Sequence, residues 1–137
     1  MMTMKRLEQY RALRREIEHD EKRIAELQDI RHTVYRYGNR IQTNRRADHV
    51  SDYIEYIDQI DQYLHKNKTR CAMELLYILD FIDEIQDSQL REIFKLRFLD
   101  GYSWMTVARY IGNAGDGSTE RKCVMRYLKR QEEADIA

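Results

Sequence analysis

The sequence contains no proline and only five glycines, four of which lie between Gly101 and Gly117. Proline breaks helices and glycine weakens them, so their scarcity over the first hundred residues leaves long helices uninterrupted. The chain is otherwise rich in helix-forming residues, and 35% of its residues are charged, so many helix faces must lie in water. The sequence therefore predicts an all-α protein.

The sequence also lacks the patterns of common catalytic sites. The four histidines show no metal-ligand spacing, and neither a glycine-rich phosphate loop nor a nucleophile elbow is present. We therefore expect no enzymatic activity, no catalytic residue, no bound metal and no cofactor. One alternative remains open, because acidic pairs on helices could bind Mg²⁺, as in all-α nucleotide pyrophosphatases; the simpler interpretation is that they keep the helices in water. The carboxylates concerned are Asp58 with Asp61, Asp80 with Asp83, and the neighbouring Glu55 and Glu84.

No apolar run in the sequence is long enough to span a bilayer, so no membrane partner is expected. Cys71 and Cys123 are far apart and fall at apolar helical positions. Since the sequence opens without the pattern of a signal peptide, two such cysteines predict reduced thiols in a cytoplasmic protein.

Two long amphipathic segments precede the glycine-bearing region. Residues 4–37 carry apolar side chains at a seven-residue repeat, which predicts a helix with a narrow, coiled-coil-like stripe. Residues 48–85 keep one apolar phase, which predicts one continuous or kinked helix, or else two helices with a break at Asn67. A loop at 38–46 separates the segments, so we expect a helical hairpin or a dimer through these helices. The stripes are Tyr10, Leu13, Ile17, Ile24, Leu27 and Val34, then Val50, Ile54, Ile57, Ile60, Leu64, Cys71, Leu75, Ile78, Ile82 and Ile85.

The last third of the chain has a different pattern, with three shorter helices separated by two glycine-bearing turns. Gly101 and Gly112 are expected to end the first two helices, and Ser103 is a good N-cap for the second. The third helix is expected to begin at Ser118 or Thr119, after the loop 113–117, and to run to about Arg130. Inward positions are predicted at Trp104, Val107, Ala108, Ile111, Val124 and Leu128.

Basic charge is concentrated on these three helices, although the formal net charge of the chain is zero. Residues 88–130 carry nine basic and four acidic side chains, whereas residues 1–87 carry 15 and 17, and residues 131–137 carry three acidic ones. A local basic excess of this kind favours contact with nucleic acid phosphates. A solvated basic face on an ordinary helical subdomain is the alternative.

The third helix has two distinct faces in the sequence pattern. Val124 and Leu128 point to one side, while basic residues at spacings of four and three point to the other. One face can pack on the preceding helices while the other meets phosphates and base edges of DNA. The predicted DNA-contacting residues are Arg109, Thr119, Arg121, Lys122, Arg126 and Lys129.

The segment Leu96-Arg97-Phe98-Leu99-Asp100-Gly101-Tyr102-Ser103-Trp104, followed by Val107-Ala108 and Ile111-Gly112, resembles region 4 of bacterial sigma factors. It is more closely similar to ArpU-type late-gene regulators of phages and prophages of Gram-positive bacteria. The resemblance implies a helical N-terminal segment followed by a helix-turn-helix unit. We therefore divide the chain into the predicted hairpin in residues 1–86, for dimerisation or partner binding, and a helix-turn-helix unit in residues 87–137. The resemblance also implies transcription control, with double-stranded DNA as a partner, and the hairpin would either dimerise or engage RNA polymerase.

The resemblance has one departure, because the stretch from Gly112 to Ser118 is longer than the family's usual turn. Whether this loop contacts DNA is open. Besides the pyrophosphatase, the other hypothesis is a coiled-coil adaptor that uses the helix-turn-helix for protein contacts.

Overall fold

The structure is a computed structural model that describes the backbone of residues 1–38 and 44–136 and the side chains of residues 1–29 and 52–136. All regular structure in these residues is helical, which confirms the all-α prediction. The elements are α1 (Met4–Gly38), α2 (Asn44–Asp83), α3 (Ser88–Phe94), a π-helical turn (Lys95–Leu99), α4 (Trp104–Tyr110) and α5 (Ser118–Ile136).

The two long helices agree with the sequence pattern except at the ends of α2, which begins four residues earlier and ends two residues earlier than predicted. α1 covers the predicted range, and α2 passes through Asn67 without a break, so the single-helix alternative is correct. α2 begins at Asn44, earlier than predicted, because Arg45, Arg46 and Ala47 are good helix formers that extend it backwards. Residues 39–43 of the predicted loop lie outside the described residues.

The chain divides into two compact units. Unit 1 comprises Met1–Ala12 and Cys71–Ala137, and unit 2 comprises Leu13–Arg70. Unit 1 therefore contains the three predicted short helices together with the start of α1 and the C-terminal part of α2. The boundary drawn from the sequence between residues 86 and 87 remains a prediction.

Unit 2 buries one narrow row of side chains on each of its two helices. Ile17 and Ile24 are buried on α1 at the predicted spacing of seven, and Ile57 and Leu64, two members of the predicted stripe, are buried on α2. Ile60, predicted to lie in the same stripe, is 39% exposed, because a row this narrow leaves its flanking positions uncovered.

Two polar contacts join the helices of unit 2. The Lys68 Nζ lies 2.7 Å from the Glu21 Oε1, and the Tyr53 hydroxyl donates to the Leu27 carbonyl at 3.5 Å. Because the residue number rises along α1 as it falls along α2, these stretches run in opposite directions.

Unit 1 holds the larger apolar core, and the first residues of the chain contribute to it. Leu7 and Phe94 are fully buried, and Met2 is 5% exposed. Burial of each large apolar side chain contributes about 1.5–3 kcal/mol. The buried members of the core are Met2, Leu7, Tyr10, Ile78, Ile82, Ile85, Ile93, Phe94, Leu96, Phe98, Val107, Val124 and Leu128.

An aromatic cluster joins α2, α3 and α5 within this core. The Phe94 ring centroid lies 5.8 Å from that of Phe81 and 6.0 Å from that of Tyr127, and Phe81 and Tyr127 are also 6.0 Å apart. All three pairs are edge-to-face, an arrangement worth about 0.5–1.5 kcal/mol per pair beyond burial. Burial, with a smaller contribution from Glu84, raises the pKa of the Tyr127 hydroxyl. The cluster positions α5 on the rest of the unit.

Candidate nucleic-acid interface

The first of the three short helices begins at a side-chain cap and ends in a widened turn. The Asp87 carboxylate accepts a hydrogen bond from the Gln89 backbone N–H at 3.0 Å, which satisfies a free donor at the start of α3. After Phe94 the backbone continues as the π-helical turn, where the Asp100 N–H donates to the Lys95 carbonyl at 2.9 Å. Gly101, with φ of +78°, ends the element at the predicted position.

Arg97, part of the sequence segment that resembles sigma factors, is a packing residue in this structure. Its guanidinium donates to the Glu8 carboxylate at 3.0 Å and to the Tyr102 carbonyl at 3.1 Å. The guanidinium carbon also lies 4.7 Å from the centre of the Trp104 indole ring, within the range of a cation–π contact. Arg97 therefore ties α1 to the turn before α4. No pattern in the sequence indicates Glu8 as its partner.

The second short helix matches its predicted boundaries and buried face. Ser103 caps α4, because its hydroxyl oxygen accepts from the Thr106 N–H at 3.3 Å. Val107 and Ala108 are fully buried. Gly112, with φ of +86°, follows the helix, as predicted for a helix stop.

The exposed side of α4 carries Arg109 and an aromatic pair. The Arg109 guanidinium lies 3.8 Å from the Met105 sulfur. Tyr110 stacks on Tyr102 with ring centroids 5.0 Å apart, and their hydroxyls are 3.4 Å apart. The hydrogen bond to Tyr110 raises the pKa of the Tyr102 hydroxyl. The exposed side of α4 thus carries one cation and one phenol, and the half-buried Tyr102 of the preceding turn stacks on that phenol.

Side chains order the loop before α5. The Asn113 amide donates to the Glu120 carboxylate at 2.6 Å, and Glu120 is only 2% exposed. The Asp116 carboxylate accepts from the Ser118 N–H at 3.0 Å, and this bond, with the Ser118 hydroxyl and the charge of Lys122, lowers the pKa of Asp116. Glu120 is not among the residues predicted to face inward. Its position four residues before Val124, on the inward side of the helix, is the signal that could have found it.

The third short helix buries the predicted face and extends further than predicted. Val124 is fully buried and Leu128 is 7% exposed, and α5 packs on α3 and α4. The helix runs to Ile136, so the predicted end near Arg130 was wrong. The added residues include good helix formers and neither glycine nor proline, so nothing in the sequence stops the helix at Arg130.

All six predicted DNA-contacting residues are exposed. Thr119, Lys122, Arg126 and Lys129 share one side of α5, because their spacings of three and four residues bring them round to the same face. Arg121 stands to one side of this group, seven residues before Leu128 and thus near the edge of the buried face. Arg109 lies on α4 rather than on α5. We call the group of four the α5 basic face: Thr119, Lys122, Arg126 and Lys129.

The charges of the α5 basic face are largely uncompensated within the protein. Among the described residues, neither Arg126 nor Lys129 has a carboxylate within 4.0 Å. Lys122 interacts electrostatically with Asp116, but at a distance longer than that of an ion pair. Beyond Arg130 the same helix becomes acidic, and Glu133 follows Lys129 by one turn. The surface can therefore accept a polyanion along the first three turns of α5.

The acidic pairs considered for Mg²⁺ are solvent-exposed. Asp58 and Asp61 lie in unit 2, and Asp80 and Asp83 lie in unit 1. In the parts of the chain with described side chains, no group of three or more histidine, cysteine, aspartate or glutamate residues is arranged to hold a metal ion. In the same parts of the chain both cysteines, residues 71 and 123, are free and half-buried, and no helix is apolar enough over a sufficient length to cross a bilayer.

Comparison of the chain with protein-family models, with curated proteins and with solved structures finds no match.

Proposed function

We propose that this protein is a sequence-specific regulator of transcription that binds double-stranded DNA through the α5 basic face. One observation carries the proposal. α5 has one side buried through Val124 and Leu128, and its opposite side presents Lys122, Arg126 and Lys129 to solvent, with no carboxylate of the described side chains within 4.0 Å of them. A helix supported in this way can enter the major groove, which is wide enough to admit an α-helix.

Each predicted contact has a role that follows from its chemistry. Lys122 and Lys129 are point charges suited to phosphates, and Arg126 can donate a pair of hydrogen bonds to a guanine edge. Thr119 and Arg121, in the first turn of α5, reach the end of the helix that enters the groove first. Lysine and arginine contacts to phosphates position the protein, while contacts to base edges give sequence preference.

Arg109 contacts the phosphate backbone of DNA from a separate helix. It lies on the exposed side of α4, whose other side packs in the core through Val107. In a helix-turn-helix the first helix crosses the DNA backbone while the second reads bases. In this assignment α4 is the first helix and α5 the second, and the ordered loop between them brings Asp116 near Lys122.

The biological setting follows from the sigma region 4-like resemblance. It supports control of late genes in a phage or prophage, with RNA polymerase as a partner and the first two helices as a coiled-coil-like hairpin or dimerisation element. We propose a cytoplasmic protein without enzymatic activity or cofactor.

The proposal is tested by DNA titration. A labelled duplex selected from a random pool is titrated at several salt concentrations with wild type and with the variant Lys122→Ala/Arg126→Ala/Lys129→Ala. Each lost phosphate contact is expected to lower the salt slope by about one unit, and loss of an arginine–guanine pair to cost about 1–3 kcal/mol. The matched control is Arg14→Ala/Arg15→Ala/Lys22→Ala, which removes the same charge from exposed positions of α1.

The control separates a specific face from a general charge effect. Equal loss in both variants would indicate only non-specific attraction. A folded α5 variant with wild-type affinity and salt slope would contradict the proposal, and the coiled-coil adaptor would then be the better hypothesis.

A further inference from the structure

Within unit 1, α2 exposes a row of apolar side chains. Met73 is 67% exposed, Leu76 is 64% exposed and Leu79 is 37% exposed. Ala72 is also exposed, and the spacings of three and four residues place all four on one side of the helix. We call these residues the α2 patch: Ala72, Met73, Leu76 and Leu79.

The α2 patch is a second apolar face of a helix that already buries one. Ile78 is fully buried in the unit 1 core, and Ile82 is 1% exposed. Single exposed apolar residues are ordinary, but a contiguous group on one helix face marks a surface that contacts another molecule. A helix that is apolar on two sides needs a partner on each side.

The charges along α2 indicate which partner fits. The exposed residues that precede the patch in the helix sequence include the basic Lys66 and Arg70, while those that follow it include the acidic Asp80 and Asp83. When two copies of such a helix pair in opposite directions, the basic end of each lies beside the acidic end of the other. Parallel pairing would instead bring like charges together, which is unfavourable.

We propose that the α2 patch is the contact surface for a second copy of this chain, with the two α2 helices packed antiparallel about a two-fold axis near Leu76. In such a dimer each contact occurs twice. Residues that precede Leu76 in one copy contact residues that follow Leu76 in the other copy. Met73 of each copy then lies opposite the region of Leu79. This surface lies on a different helix face from the stripe of α1, and the dimer does not depend on DNA.

The dimer is expected to be weak. A standard stable interface uses about 20–30 residues on each side, far more than the four apolar residues of the patch. We therefore expect a dissociation constant on the order of micromolar, dominated by the central methionine and leucine contacts.

The oligomeric state of the full chain without DNA tests the proposal. Sedimentation velocity of wild type should show a concentration-dependent shift from monomer to dimer. Met73→Asp and Leu76→Asp should each abolish the dimer and leave the circular dichroism spectrum unchanged, because both side chains are more than 60% exposed. Met105→Asp is the matched control, since Met105 is a comparably exposed methionine on α4 and should leave the dimer intact.

Charge reversal tests the identity and direction of the partner. Lys66→Glu/Arg70→Glu and Asp80→Lys/Asp83→Lys should each weaken self-association, because each variant places like charges at both ends of the helix pair. An equimolar mixture of the two should restore a dimer, since acidic ends then meet basic ends. Wild type that stays monomeric at high micromolar concentration, or a dimer unaffected by Met73→Asp and Leu76→Asp, would overturn the proposal and leave the patch to a different protein.

Discussion

The backbone of Gly117 lies directly against the backbone of Trp104. A Cβ atom built on Gly117 would be 2.2 Å from the carbonyl carbon of Trp104, a separation that non-bonded atoms do not adopt. Gly117 also has φ of +92°, which side chains rarely tolerate, and its carbonyl accepts the Arg121 N–H at 3.1 Å in the first turn of α5. The starts of α4 and α5 can therefore approach this closely only with glycine at position 117.

Replacing Gly117 is expected to destabilise the protein strongly. Gly117→Ala combines backbone strain, which costs about 1–3 kcal/mol, with a clash against backbone that cannot rotate away. Gly112→Ala has a similar φ but open space around the new atom, so it should show the strain alone; Gly115→Ala has neither problem and should be close to neutral. Urea unfolding measures the loss of stability in each of the three variants and so ranks them. Equal losses of stability at positions 117 and 112 would contradict the predicted clash with Trp104.

Removing the partner of a buried carboxylate should also be costly. Asn113→Ala leaves Glu120 buried without the amide that donates to it at 2.6 Å, and an unsatisfied buried group costs about 1–3 kcal/mol. Thermal unfolding should show this loss for Asn113→Ala. The neighbouring Ala114→Ser, an exposed change in the same loop, should have little effect. If both variants unfold at the same temperature as wild type, the Asn113–Glu120 hydrogen bond does not contribute to stability.

Lysine should not replace Arg97 without loss. Arg97→Lys keeps the charge but loses the planar group that bonds to both Glu8 and the Tyr102 carbonyl while lying over the indole ring. We expect a loss of about 1–3 kcal/mol by chemical unfolding. Arg14→Lys, at an exposed position, is the control and should be neutral. A neutral Arg97→Lys would mean that charge alone matters at this position.

The Arg6–Glu74 pair predicts a small loss of stability in acid. The hydrogen bond from Arg6 lowers the pKa of the Glu74 carboxyl, so the pair stabilises the fold above the ordinary glutamate pKa of about 4.3, and this contribution disappears as pH falls through the lowered value. Both side chains are about a third exposed, so the effect should be below about 1 kcal/mol. Glu74→Gln should remove this part of the pH dependence, measured by urea unfolding at several pH values. A pH dependence of stability that is the same in Glu74→Gln as in wild type would contradict this role of the Arg6–Glu74 pair.

The acidic end of α5 is expected to oppose DNA binding. Glu133 follows Lys129 by one helical turn, so its negative charge would repel the phosphates of a DNA backbone that lies along the α5 basic face. Glu133→Gln should tighten binding to the selected duplex by about 0.2–1 kcal/mol, the range of exposed charge interactions. The control is Glu18→Gln on α1, which changes the net charge equally. Identical gains in both variants would indicate an effect of net charge only.

Local chemistry made the boundaries of α3 and α4 predictable from the sequence. Asp87 and Ser103 each accept a hydrogen bond from a backbone N–H two or three residues ahead, so the necessary information lies within one turn. Gly101 and Gly112 likewise adopt the positive φ expected after a helix. By contrast, Leu7 packs with residues far along the chain, and the spacing of stripes within a helix does not reveal such partners.

The candidate site was predictable only in part, for the same reason. Periodicity placed Val124 inside and Lys122 and Arg126 outside, because both follow from the helix repeat alone. The burial of Glu120 depends on Asn113 in the preceding loop, and that pairing depends on how the loop folds. The position of Arg97 depends on Glu8, which comes from the other end of the chain.

Unit 1 is assembled from the two ends of the sequence, with Met1–Ala12 packed beside Cys71–Ala137. During synthesis the first twelve residues leave the ribosome long before α5 is made. Leu7 therefore cannot be buried in the cluster that contains Phe94 and Val124 until those residues have been synthesised. Contacts of such large sequence separation slow folding, because a long loop must close before they form. Leu13–Arg70 can form its own contacts first, and formation of the α5 basic face would then be the last event of co-translational folding.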